Sequence, residues 1–214
     1  MQLIIGNKNY SSWSLRGWLA AKASGLPFEE THILLGQPDT RQQILAFSPS
    51  GKVPCLIDHG LTVWDSLAIA EYLAERAPGM WPRDAAMCAV ARSVSAEMHS
   101  GFAALRSQMP MNIRKNYAGH GRTPEVMADI ERIVSLWNDC RARYGKGGPY
   151  LFGGYSIADI MFAPVCFRFA TYGVAPGGKA QDYLATMLAH PHMKAWQQAA
   201  LCETAVIPHE DLYD

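Results

Sequence analysis

The hexapeptide Ala77-Pro78-Gly79-Met80-Trp81-Pro82 divides this 214-residue chain into two parts that obey different periodicities. Before it, short apolar runs alternate with helical stretches; after it, only the three- and four-residue spacing of amphipathic helices is visible. Residues 1–77 are therefore predicted to form one domain, 78–82 a linker and 83–214 a second domain. In the first, Leu3-Ile4-Ile5 reads as a buried strand, Leu15 to Ser24 as a helix stopped by Gly25-Leu26-Pro27, and His32-Ile33-Leu34-Leu35 as a second strand. A short helix from Thr40 to Phe47 ends before Ser48-Pro49. Cys55-Leu56-Ile57 and Leu61-Thr62-Val63-Trp64 form a hairpin around Asp58-His59-Gly60, and Ser66 to Arg76 closes the domain as a helix. The order β-α-β-α-β-β-α makes this an α/β domain, with parallel pairing across the helical connection and antiparallel pairing in the hairpin.

The second part reads as an all-α helical bundle. Met87, Val90, Val94, Met98, Phe102, Leu105 and Met109 mark one long amphipathic helix, and Val126, Ile130, Ile133, Trp137, Cys140 and Tyr144 a second. The polar segment Asn116–Thr123 joins them. These methionine and aromatic stripes are packing surface rather than a cofactor box. Further on, Ser156 precedes a helix and Asp159 follows three residues later, the spacing of a capping box, with Tyr155 and Ile160 as its hydrophobic staple. Both Ser156 and Asp159 are assigned to folding rather than chemistry, and Pro164 is expected to bend the helix they start.

Charge and cysteine content narrow the function classes. Lys plus Arg and Asp plus Glu each number 19, and a neutral chain lacks the basic excess that nucleic acid or an anionic membrane surface demands. The five cysteines (55, 88, 140, 166 and 202) are scattered without a CxxC pair, the pattern of free thiols in a reducing compartment. Met1–Gly6 carries neither the charged leader nor the apolar length of a signal peptide, and the apolar run near Ile160–Phe167 is too short to cross a bilayer. A cytoplasmic protein is expected. The histidines show no metal-ligand spacing, so no metal is expected.

Three short elements carry the chemistry. Gly51-Lys52-Val53-Pro54 brings an X-Pro bond, which can be cis, to a strand entrance. Asp65-Ser66 opens a helix, where a carboxylate, a hydroxyl and orphan backbone N–H groups converge. Together they form a cradle able to hold one end of an extended peptide. Tyr10-Ser11-Ser12-Trp13-Ser14-Leu15-Arg16 adds a cluster of hydroxyls at the head of the first helix.

With these elements in this order, the chain resembles the cytosolic glutathione S-transferase superfamily over nearly its whole length. The Ser-Ser-x-Ser-x-Arg pattern is most similar to the serine-type classes, such as zeta and tau, and to a bacterial member of that kind. The resemblance implies a thioredoxin-like first domain and an all-helical second one. It implies reduced glutathione as co-substrate, with Ser11 bonding the glutathione sulfur and Ser12 as runner-up. Val53 would pair its backbone with the cysteinyl part beside a cis Pro54, Asp65 and Ser66 would hold the γ-glutamyl end, and Lys52 would lie near the glycyl or cysteinyl portion. It also implies a homodimer. Trp13 stands where the zeta pattern carries cysteine, which makes a maleylacetoacetate isomerase the lesser alternative and argues against cysteine-dependent thiol transfer.

The implied activity, conjugation of glutathione to small hydrophobic electrophiles, can be sized. Ionising a thiol of pKa about 8.5 at neutral pH needs a fall of roughly 2 units, or about 2.7 kcal/mol. A hydrogen bond to a charged group contributes about 1.5–3 kcal/mol and a helix N-terminus about 0.3–1 kcal/mol. One serine hydroxyl suffices, acting as donor to the thiolate. Trp13, Met98, Phe102, Arg106 and Phe167 are the candidates for an electrophile pocket between the domains, with Tyr10, His99, Met109 and Tyr172 nearby. A plainer reading keeps the fold as a non-catalytic binding or interaction module, with Ser11 and Asp65-Ser66 serving only as helix caps.

Overall fold

The computed structural model describes residues 1–214. Its first part comprises β1 (Gln2–Ile5), α1 (Ser12–Ser24), β2 (Glu29–His32), α2 (Thr40–Leu45), β3 (Cys55–Asp58), β4 (Leu61–Trp64) and α3 (Ser66–Ala74). The four strands form one mixed sheet in the order β2-β1-β3-β4, with β1 parallel to β2 and antiparallel to β3, and β3 antiparallel to β4. This is the predicted α/β order. The second strand lies earlier than expected: β2 is Glu29–His32, not His32–Leu35. Pairing of Gln2 with Glu29 fixes the register, and Glu30 of β2 joins a half-buried network, accepting from Lys8 at 2.8 Å and from the Trp18 indole at 2.6 Å. Ile33, just past the strand, packs with Ile4, Ile44 and Cys55 beneath the sheet.

The remainder is helical: α4 (Ala85–Ser100), α5 (Ala103–Gln108), α6 (Pro124–Tyr144), α7 (Ile157–Tyr172), α8 (Gly178–Ala189), α9 (Pro191–Cys202) and a short 3₁₀ turn at Pro208–Glu210. The single helix predicted through Met109 is two. Gly101 ends α4 in an extended conformation, Phe102 adopts a left-handed φ of 61°, and α5 restarts with the Leu105 N–H donating to Asp129 of α6 at 2.9 Å. The apolar spacing carried across the break because both pieces bury the same face. The capping box at α7 forms as its spacing predicts: the Asp159 carboxylate accepts the Ser156 N–H at 2.8 Å, the Ser156 hydroxyl at 3.0 Å and the Leu151 N–H at 3.0 Å. That helix continues through Pro164 and is buried along nearly its whole length, including Ala158 to Phe169.

One core runs through both parts. Trp137 of α6, fully buried, meets Phe162 and Phe169 of α7 and Tyr183 of α8 with ring centroids 4.8–5.9 Å apart. Helix α1 is the shared element, packed on α3 on one side and on α7 and α9 on the other. Gly17 explains how closely it sits: a Cβ there would lie 2.8 Å from the ring of Pro54. The glycine costs about 1 kcal/mol of helix propensity, offset by bringing the head of α1 against the Val53–Pro54 turn. No helix is long and apolar enough to cross a membrane.

Candidate active site

The head of α1 separates two cavities. One, of about 490 Å³, is lined by Trp13, Ser50, Lys52, Val53, Pro54, Trp64, Asp65 and Ser66. The other, of about 290 Å³, lies at the domain junction under the C-terminal segment, where Tyr10, Ser11, Ser12, Trp13, Arg106 and Arg168 face Ile207, His209 and Glu210. Trp13 belongs to both. Its indole is flanked by the guanidinium carbons of Arg16 and Arg106, each 4.7 Å from the ring, an arrangement in which the ring faces offset part of the cost of burying those charges.

The first cavity gathers the predicted cradle residues. The Val53–Pro54 bond is cis. Asp65 caps α3 by accepting the Leu67 N–H at 2.8 Å, and it does so at φ 74°, a conformation costing a non-glycine residue about 1–3 kcal/mol. Ser66 is buried to 1 % exposure, and its hydroxyl has no partner in the protein. A buried hydroxyl without a partner costs about 1–3 kcal/mol, so Ser66 carries an unmet hydrogen bond beside Asp65. Lys52 is exposed at the rim.

The two serines at the head of α1 are in different states. Ser11 is the N-cap: its Oγ accepts the Ser14 N–H at 3.2 Å and its hydroxyl donates to Ser14 Oγ at 2.7 Å. Ser14 Oγ in turn accepts the Gly6 N–H at 2.9 Å, tying the cap to the end of β1. The Ser12 hydroxyl oxygen accepts from Arg168 Nη2 at 3.3 Å and keeps its own proton free to donate.

Arg16, Arg106 and Arg168 converge here. Arg16 is fully buried, with Nε donating to the Met161 carbonyl at 2.9 Å and Nη1 unpartnered. Arg168 donates to the Met109 carbonyl at 2.6 Å, and Arg106 to the carbonyls of Met98, His99 and Gly101. Desolvation first, and then mutual repulsion, depresses the pKa of both buried guanidiniums, that of Arg168 to about 10. No carboxylate lies within ion-pair distance of any of the three. Buried charge is ordinarily paired, and this cluster concentrates positive charge at the domain junction. Arg168 escaped sequence reading although a lone arginine inside the apolar run from Ile157 to Phe169 was a legible signal.

Of the expected pocket residues, Trp13 and Arg106 line the cavities. Met98, Phe102 and Phe167 do not: all are buried in the main core, as are Met109 and Tyr172. Their side chains are buried in the bundle, and the cavity wall at the domain junction is shared by Ser12 and Trp13 of α1, Arg106 of α5, Arg168 of α7 and the C-terminal residues Ile207, His209 and Glu210. Cys55 is fully buried, and desolvation raises its thiol pKa, so it is a core residue. No group of three or more His, Cys, Asp or Glu side chains is arranged to hold a metal ion.

Residues 10–76 match the glutathione S-transferase N-terminal domain and residues 89–199 the glutathione S-transferase C-terminal domain. A maleylacetoacetate isomerase of Mus musculus is 34% identical over 160 residues, covering 72% of this chain and 70% of that protein. The holo structure of a maleyl pyruvate isomerase, a bacterial zeta-class glutathione S-transferase, superposes with a TM-score of 0.73 at 21% identity, covering 96% of this chain and 100% of that one. A sphingomonad glutathione S-transferase complexed with glutathione gives a TM-score of 0.67 at 21% identity, over 95% and 100% of the two chains. With family models spanning most of its length, the chain belongs to the glutathione S-transferase family.

Proposed function

We propose that this protein seats reduced glutathione in the Lys52–Ser66 cradle and uses its thiolate against a small electrophile held in the adjoining cavity. The observation that carries this reading is that two cavities meet at the head of α1, one with a partnerless Ser66 hydroxyl and a strained Asp65, the other with a free serine donor. Asp65 and Ser66 take the γ-glutamyl end, the Val53 backbone pairs with the cysteinyl part and Lys52 lies near the far end. At the sulfur, Ser12 is favoured over Ser11, because the Ser11 proton is already committed to Ser14 while Ser12 is free and polarised by Arg168. The thiolate gains from that hydrogen bond, from the helix N-terminus and from the nearby guanidiniums.

Calorimetry with glutathione and turnover of chlorodinitrobenzene test this. Ser12→Ala is expected to lower kcat/KM by about 10- to 100-fold, the value of one lost hydrogen bond to a charged sulfur, and Ser11→Ala by less. No uptake of glutathione by the wild type, or an unaltered Ser12→Ala, sinks the reading.

A second reading, cis–trans isomerisation, is favoured by the arginines and by the isomerases among the relatives. Arg106 and Arg168 face the electrophile cavity together with one carboxylate, Glu210, which is not within ion-pair distance of either, so the lining keeps a net cationic excess that suits an electrophile bearing a carboxylate. There the thiolate adds to a conjugated C=C, the resulting single bond rotates, and elimination restores both the double bond and the thiolate. Arg106→Met is expected to cut turnover of a maleyl-type carboxylate at least 10-fold while changing chlorodinitrobenzene turnover less than threefold. Equal losses on both substrates would count against an anion-reading role. We further propose a cytoplasmic homodimer, as family resemblance implies.

A further inference from the structure

His99 sits near the end of α4, in the helical part of the chain, yet its Nε2 lies 3.1 Å from Oδ2 of Asp65 at the head of α3. Asp65 is the only carboxylate lining the cradle. Its other oxygen, Oδ1, is engaged with the α3 backbone, so the His99 contact falls on the oxygen left for a ligand. The ring is fixed from the side by Trp13, edge-on at a centroid distance of 5.2 Å, and Trp13 itself borders both cavities. We propose that His99 is a positioning residue, which as neutral imidazole donates Nε2–H to Asp65 and so aims the carboxylate at the γ-glutamyl ammonium of glutathione. This rests on the glutathione reading of the cradle given above.

The protonation state follows from the surroundings. His99 Nδ1 is buried without a partner, so adding a proton there would create an unsatisfied buried cationic N–H. The charged groups facing the ring are Arg16 from α1 and Arg106 from α5, which oppose its protonation, and Asp65 from α3, which favours it. Burial weighs most, and the net direction is below the ordinary histidine value. At neutral pH the imidazole is therefore uncharged and orients Asp65 without cancelling its charge. When pH falls through the lowered pKa, an imidazolium pairs with the carboxylate and competes with the ligand ammonium. Glutathione affinity is then lost on the acid side, with a midpoint below that of a free histidine.

The test is a set of steady-state and calorimetric titrations of glutathione from pH 5 to 8 on wild type, His99→Leu and His99→Gln. His99→Leu is expected to raise KM for glutathione about 10-fold with kcat changed less than threefold. His99→Gln keeps an N–H donor that cannot ionise, and is expected to restore KM to within threefold of wild type while flattening its rise at acid pH. Wild-type KM in His99→Leu, or no rescue and an unaltered acid limb in His99→Gln, overturns the inference while leaving glutathione binding intact. A wild type that takes up no glutathione overturns the reading of the cradle, and this inference with it.

Discussion

The Ser11 hydroxyl is held on both sides by Ser14, and Ser14 is held by Gly6, so one chain of hydrogen bonds links the end of β1 to the first turn of α1. Ser11→Ala should therefore be felt in stability, by about 1 kcal/mol for a lost N-cap, as a lower midpoint in urea. Ser12→Ala should leave the midpoint nearly unchanged, since Ser12 makes a single 3.3 Å contact. This split would separate a residue that builds the site from the one proposed to act in it. The family resemblance put Ser11 first at the sulfur and Ser12 second. Which hydroxyl is free depends on Ser14 and on Arg168, the latter from the far end of the chain, and adjacency alone does not rank them.

Helix α7 owes its start to a carboxylate that serves three donors at once. Burial raises the Asp159 pKa to about 6, against the pull of those hydrogen bonds from Leu151 and Ser156. Asp159→Ala leaves those donors without an acceptor in the core, and a loss of about 2–5 kcal/mol is expected, seen by thermal denaturation. A loss under 1 kcal/mol would show that water replaces the carboxylate. This element was legible from the Ser156–Asp159 spacing because a capping box is local: its partners lie within one turn. The break between α4 and α5 was not, since apolar spacing persisted across Ser100-Gly101 and only the left-handed Phe102 reveals that the axis changes. The β2 boundary failed for a related reason. Apolar composition pointed to Ile33-Leu34-Leu35, whereas the strand is defined by what β1 can pair with.

Across the whole molecule, the C-terminal segment closes the domain junction. Arg114 donates to the Glu203 and Ala205 carbonyls, Asp211 accepts from Tyr10 at 3.1 Å and from Asn112 at 2.5 Å, and Tyr213 donates to Gln108 at 2.7 Å. Between those anchors Ile207, His209 and Glu210 cover the arginine-lined cavity. Removing residues 206–214 is expected to raise KM for the electrophile several-fold, leave glutathione affinity within about twofold and lower Tm by a few degrees (roughly 1–2 kcal/mol at this size). A large loss of glutathione affinity would show instead that the segment supports the cradle.

Local chemistry and periodicity determined the β-α-β-α-β-β-α order and the caps at Asp65 and Ser156, because each rests on groups close together in sequence. Tertiary structure decided what lies between the cavities. Arg16, Arg106 and Arg168 come from three helices and form a cationic cluster only once α1 is clamped between α3 and α7, while His99 reaches Asp65 only across the domain junction. Charge that is exposed and unremarkable along the chain becomes costly, and so chemically directive, when folding removes the water around it.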